Sequence, residues 1–134
     1  FGEPIEVQVE GVFAAESRGD LQRFVLLSDG LRKVPILIGA FEAAAITMCL
    51  DGVQPDRPLT HDLMKTALEK LQSGVLKIVI DDLWSTTYYA KVFLKTAREE
   101  IIIDARPSDA IALALRFESP IYVAEGILEQ SSQS

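Results

Sequence analysis

Two carboxylates and a guanidinium crowd into Asp104-Ala-Arg-Pro-Ser-Asp109, with Arg106 between the acids. Carboxylates brought close together either raise one pKa or hold a hard cation such as Mg²⁺ or Mn²⁺, which prefers oxygen ligands and keeps several waters. Arg106 suggests a rival role, an Arg–carboxylate pair that ties the turn shut. The sole histidine, His61, follows a proline-stiffened loop carrying Arg57 and is flanked by Thr60 and Asp62. With a reference pKa of roughly 6.5, a histidine exchanges protons near neutrality, which makes His61 a candidate general base or polariser of a bound water. The plainer role is that of a residue near a helix cap, hydrogen-bonded to the loop. A further acid, Glu42, opens an alanine-rich stretch. For Glu42 and Asp109 alike, compensation of a helix dipole is itself a sufficient reason for the charge, worth roughly 0.3–1 kcal/mol.

The elements around these residues follow from apolar spacing. Ile101–Ile103 read as a short β-branched strand, and Pro107 suits the first turn of a helix, where its missing N–H loses no partner. Asp109 then stands near the third helical position, Ala110–Leu115 are all apolar, and Arg116 closes the helix with a cation at its favourable end. That run predicts a helix buried on most sides. Upstream, Ile5, Val7 and Val9 alternate with Glu6, Gln8 and Glu10, a half-wet strand reaching Ala15. Ser17–Asp20 is a turn, Leu21–Leu27 a strand and Ser28-Asp29-Gly30 a hairpin tip. Val34–Ile38 is a third strand, which Pro35 places at a sheet edge or at its own start. Phe41–Leu50 reads as a helix ended by Asp51-Gly52. After a loop over 52–58, Thr60 is expected to cap a helix with Leu63, Ala67, Leu68 and Leu71 as its apolar stripe. Strands follow at Val75–Ile80, Thr87–Leu94 and Pro120–Val123, then a helical turn at Gly126–Glu129. Ile36–Ile46 echoes Ile101–Leu113, strand into alanine-rich helix with Glu42 in the place of Asp109, but the echo is too short to establish a duplication.

Four ordered stretches, VPILIGAFEAAAI at 34–46, RPLTHDLM at 57–64, DARPSDAIALALR at 104–116 and SPIYVAEGIL at 119–128, resemble the bifunctional nuclease domain family over nearly the whole chain. The resemblance implies a compact α+β domain that cleaves both DNA and RNA. It brings no mechanism with it. On the residues themselves the expected chemistry is divalent-metal-assisted phosphodiester hydrolysis. Glu42, Asp104 and Asp109 are the candidate ligands for Mg²⁺ or Mn²⁺, His61 with Asp62 the water-activating group beside Asp109, and Arg57, Arg106 and Ser108 the contacts to substrate phosphate.

Composition bounds these expectations. A chain of 134 residues, 49% apolar and 25% charged, suits one soluble domain that buries roughly two-thirds of its unfolded surface. No apolar run approaches the ~20 residues of a membrane span, no basic-then-apolar leader is visible, and an opening Phe1 implies a natural start further upstream. One cysteine, Cys49, cannot form an internal disulfide, and it sits among Ile46, Met48 and Leu50 as an expected buried, inert thiol. An intracellular, cytoplasmic setting fits. The net charge of −7 opposes a broad nucleic-acid surface, because phosphate binding relies on clustered Lys and Arg. There is no phosphate-binding glycine loop, G-x-G-x-x-G, Cys–His zinc set or G-x-S-x-G elbow. Trp84, Tyr88 and Tyr89 could stack a base, although strand aromatics more often pack a core. The expected molecule is a single α+β domain over 1–129, a mixed β-sheet with packed helices, followed by a polar tail at 130–134. Its expected partners are DNA or RNA, and a homo-oligomer is a further expectation. The alternatives are a non-catalytic module that binds a protein or small anion in the same cleft, or a regulatory oligomer whose charged turn only rigidifies the fold.

Overall fold

A computed structural model describes residues 1–132. The alternation that begins at Ile5 becomes β1 (Pro4–Ser17), which forms an antiparallel hairpin with β2 (Asp20–Ser28). At the next hairpin tip the Asp29 carboxylate accepts N–H bonds from Leu31 and Arg32 at 2.9 and 2.6 Å and pairs with the Arg32 side chain. Those donors lower its pKa to about 2. β3 (Lys33–Ile38) pairs with β2 and lies at one edge of the sheet, where the missing N–H of Pro35 costs nothing. β4 (Gly74–Trp84), β5 (Thr87–Lys95) and β6 (Glu100–Ala105) form the other half, and β4 runs four residues past the expected Ile80 to meet β5 at a tight turn. The short β7 (Ile121–Ala124) joins the halves, antiparallel to β1 and parallel to β4. The result is one mixed sheet in the order β3-β2-β1-β7-β4-β5-β6. Among the described residues no helix is long and apolar enough to cross a membrane.

The helices are α1 (Ala40–Leu50), α2 (Thr60–Lys70), α3 (Pro107–Phe117) and α4 (Glu125–Ser132). α3 is the centre of the core. Ala110, Ile111, Ala112, Leu113 and Ala114 are all buried, and the small side chains let α1, α2 and the sheet approach the same helix. α1 ends as its sequence predicts, with Gly52 in the left-handed region at φ 69°. Cys49, expected to be buried, is only partly so, because α1 is apolar all round and can bury only the side bearing Ala43, Ala45 and Ile46. α4 extends through Gln130 to Ser132, residues read from the sequence as part of a polar end, and anchors itself through the buried Ile127 and Leu128. The last two residues of that expected tail lie outside the described residues.

The largest correction concerns α2. Thr60 is its first helical residue and not its cap; Leu59 precedes the helix and donates its N–H to Asp62 Oδ2 at 2.8 Å. The expected stripe mostly faces out, with Leu63 63% and Leu71 73% exposed, and of its four residues only Leu68 turns inward. The inward positions are instead His61, Asp62, Lys65 and Leu68. A polar contact sets this rotation. Arg116 of α3, whose side chain is 7% exposed, donates to Asp62 Oδ1 at 2.7 Å, to the Ala112 carbonyl at 2.9 Å and to the Ala45 carbonyl of α1 at 3.2 Å. Burial would raise the Asp62 pKa, but the Leu59 N–H and Arg116 outweigh it and hold the carboxyl below its usual value.

Two outcomes test this packing. Ala112→Leu or Ala114→Leu should cost about 1–3 kcal/mol by overpacking, and thermal melts unchanged from the parent would show that α3 has room to spare. Arg116→Met should cost about 2–3 kcal/mol at neutral pH, somewhat less than loss of a partner from a fully buried pair, because it strands the Asp62 carboxylate. Since the folded pKa of Asp62 is lowered, its contribution is present at neutral pH and fades as pH falls below roughly 4. Urea melts of Arg116→Met should therefore lose less stability than those of the parent between pH 5 and pH 3, and an identical acid slope would remove Asp62 from the account.

Candidate functional site

Three helices begin at one place. Glu42, Asp62 and Asp109 each hold the third position of their helix, and Phe41, His61 and Ser108 each hold the second. The first turns of α1, α2 and α3 converge, and a cavity of about 400 Å³ is lined by Phe41, Glu42, Thr60, His61, Arg106 and Asp109, with Ala45 and Met48 behind them. The open N–H groups of a helix start give it a partial positive charge, so three of them share one cleft.

The side chains in that cleft form a chain of contacts. His61 Nε2 lies 2.9 Å from Asp109 Oδ1, Arg106 Nε donates to Asp109 Oδ2 at 3.1 Å, and Arg106 Nη1 donates to Glu42 Oε2 at 3.1 Å. Burial works to raise the Asp109 pKa, but the bonds from His61 and Arg106 win and hold it below the usual carboxylate range. Asp109 is therefore ionised at neutral pH and can only accept. It follows that His61 Nε2 carries a proton, and that in the neutral ring the lone pair sits on Nδ1. The Arg106 pKa is raised by the bond to Asp109 and then by Glu42, so its charge is fixed. Glycine at position 39 also serves this contact: a Cβ there would strike the Glu42 carboxylate, which folds back over the start of α1 toward Arg106.

Of the residues singled out from the sequence, His61, Asp109, Arg106 and Glu42 meet. Ser108 is buried and lines a second, larger cavity that also touches Arg106 and Glu42. Asp62 packs on Arg116 and does not line the cleft, so it positions His61 from behind. Arg57 stands exposed in the loop before α2 and lines neither cavity. Asp104 lies elsewhere. On β6 it pairs with Lys91 of β5, its Oδ1 3.8 Å from Nζ, and its side chain is 76% exposed. Neighbouring strand residues point to opposite faces, so the core-facing Ala105 sends Asp104 to the other side of the sheet. The expected carboxylates for a divalent cation are therefore not gathered, and the Arg106 guanidinium occupies the space between the two that are close. Among the described residues no three His, Cys, Asp or Glu side chains assemble as a metal-holding group. This arrangement does not fit a divalent cation.

Two contributors escape sequence reasoning. Arg116 looks like a routine cation at a helix end, and only its burial against Asp62 shows that it joins three helices. Phe41 looks like the first core residue of α1 but is 90% exposed at the mouth of the cavity. The second-position spacing it shares with His61 and Ser108 was the available signal.

Comparison with known proteins agrees with the motif resemblance. The sequence model of the Bifunctional nuclease domain matches residues 25–134. Uncharacterized protein Rv1829 of Mycobacterium tuberculosis is 39% identical over 126 residues, which is 94% of this chain and 75% of that protein. Bifunctional nuclease 1 of Oryza sativa subsp. japonica is 29% identical over 93 residues, 67% of this chain but 28% of the rice protein. Bifunctional nuclease 1 of Arabidopsis thaliana matches at the same identity and length, across 29% of its own chain. With the domain model spanning β2 to the C-terminal helix, the chain belongs to the bifunctional nuclease domain family.

Proposed function

We propose that this domain hydrolyses phosphodiester bonds of DNA and RNA in the cavity where α1, α2 and α3 begin. The observation that carries the proposal is the convergence of three helix starts on a His–Asp pair and a fixed guanidinium. Family membership and the nuclease names of the plant relatives support it.

The chemistry runs through the chain's own groups. Asp109 holds His61 with Nε2 protonated, so Nδ1 can take a proton from a water as its oxygen attacks phosphorus. The new P–O bond forms as the bond to the leaving oxygen, on the opposite side of phosphorus, breaks; that oxygen takes its proton from solvent, and the imidazolium, stabilised by Asp109, then gives up its proton to solvent. Arg106 has five N–H donors, two of them directed at Glu42 and Asp109, and its side chain is 65% exposed. The remaining donors and the helix starts face the charge that develops on the non-bridging oxygens.

His61→Ala should slow cleavage about 10²–10⁴-fold, the usual contribution of a general base. Asp109→Asn should slow it comparably while leaving the fold intact. EDTA should have no effect. If EDTA stops cleavage and Mg²⁺ or Mn²⁺ restores it, a cation displaces Arg106 from between Glu42 and Asp109, and the metal-assisted route replaces the one above. Purified protein that cleaves neither DNA nor RNA, with or without those ions, would give the site to a non-catalytic module that binds an anionic ligand.

Salt offers an independent check. With Arg106 as the one guanidinium bonded into the cluster, few phosphates are neutralised, so log–log plots of affinity for single strands against salt should slope by about −1 or −2. A slope several times steeper would reveal a basic surface elsewhere.

A further inference from the structure

Arg106 and Glu42 form a shared wall between two cavities. On one side lies the His61 cavity, with Phe41 at its mouth. On the other is a cavity of about 640 Å³ lined by Pro35–Ile38 of β3, Thr86–Tyr88 at the β4–β5 turn, Pro107 and Ser108. β3 and β5 are separated by four strands in the sheet, so the sheet must curl for both to border one space. Each cavity therefore carries an aromatic ring, Phe41 in one and Tyr88 in the other, with the only guanidinium in either lining between them.

We infer that these cavities are nucleobase subsites on either side of the scissile phosphate, and that the substrate is single-stranded nucleic acid. The inference rests on the phosphodiester reading of the His61 cavity. A phosphate held at Arg106 has a nucleoside on each side, and each finds a concave, ring-bearing pocket. The larger pocket is within the usual range for small-molecule sites and has room for a nucleoside. Bases can enter such pockets only when they are unstacked and unpaired. A duplex also needs a run of Lys and Arg along its backbone, which a chain with net charge −7 is poorly placed to supply. Phe41 gives the strongest sign of a ligand surface: a phenyl ring 90% exposed beside the proposed general base does nothing for the core. Stacking on a ring serves every base and both sugars, in keeping with activity on DNA and RNA together.

The test uses four fluorescent probes with the intact domain: ten-nucleotide dT and rU strands, a ten-unit abasic strand with the same phosphates, and a ten-base-pair duplex. Anisotropy measures binding and gel assays measure cleavage. The dT and rU strands should bind at least tenfold more tightly than the abasic strand or the duplex. Phe41→Ala, a surface change that leaves the core untouched, should weaken dT and rU binding about tenfold, the scale of one lost stacking ring, and leave the abasic strand unaffected. Tyr88→Leu should act likewise and Tyr88→Phe should retain binding, with thermal melts confirming that both fold. If the abasic strand or duplex binds and is cut as well as dT, or if both ring deletions change nothing while cleavage continues, the subsites are wrong and the phosphodiester reading stands. If no probe is bound or cut by the parent, the phosphodiester reading falls and takes the subsites with it.

Discussion

A buried guanidinium must find partners for its charge and its N–H groups, and Arg116 finds one on each of three helices. It reaches a carboxylate on α2, a carbonyl on α1 and a carbonyl of its own helix α3. Any slip of one helix against the others would strand a charge in a nearly water-free place, which costs several kilocalories per mole. Asp62 adds a second constraint, since its other oxygen takes the Leu59 N–H at the start of α2. The same pair thus fixes where α2 begins and how it is turned about its axis, and His61, one residue before Asp62, is delivered to Asp109. The proposed chemistry depends on a residue that faces no substrate.

An acid at the third helical position occurs in all three of these helices, yet the three serve different ends. Asp62 is spent on packing. Asp109 sets the tautomer of His61, and Glu42 with Asp109 holds Arg106 in a fixed pose. In the open cleft, Glu42 and Asp109 outnumber the guanidinium by one charge, and an incoming phosphate would be repelled if these were the only charges present. Each helix start, however, carries roughly half a positive charge, so three of them add about 1.5 and offset the excess carboxylate. Dipole compensation and function are therefore not rival explanations for Glu42 and Asp109. Their charge steadies the helices and orients Arg106, while the convergence of helix starts keeps the cleft receptive to an anion.

The elements were legible wherever one physical signal dominated. Alternation marked β1, the apolar run Ala110–Leu115 marked the buried α3, Gly52 marked the end of α1, and a sheet edge was one of the two places that Pro35 allowed for β3. The signal failed where two effects competed. In α2 the apolar positions Leu63, Ala67, Leu68 and Leu71 predicted one rotation, and the pairs Asp62–Arg116 and His61–Asp109 imposed another that keeps only Leu68 inward, because leaving those groups unpaired costs more than exposing leucines. At Asp104 the failure was one of geometry. Nearness in sequence suggested a shared site with Asp109, but the strand's period of two placed the two acids on opposite sides of the sheet. The contact between Glu42 and Arg106, 64 positions apart, could not be read from local pattern at all; it exists because the sheet brings two strand ends together and launches a helix from each.

That launching geometry also accounts for a site on an acidic protein. A net charge of −7 repels phosphate at long range, and that repulsion is screened within about 8–10 Å at physiological salt. Inside the cleft, the helix starts and Arg106 act at contact distance, where screening is weak and the surroundings are poorer in water. Long-range repulsion governs how fast a nucleic acid arrives and how much of the surface it can lie on; short-range donors govern what happens at the one phosphate that enters. A duplex, which must bring many phosphates close to the surface at once, meets the full repulsion. A flexible strand can offer one phosphate to Arg106 and place its bases against Phe41 and Tyr88, gaining contact energy from stacking where the protein has little positive charge to give.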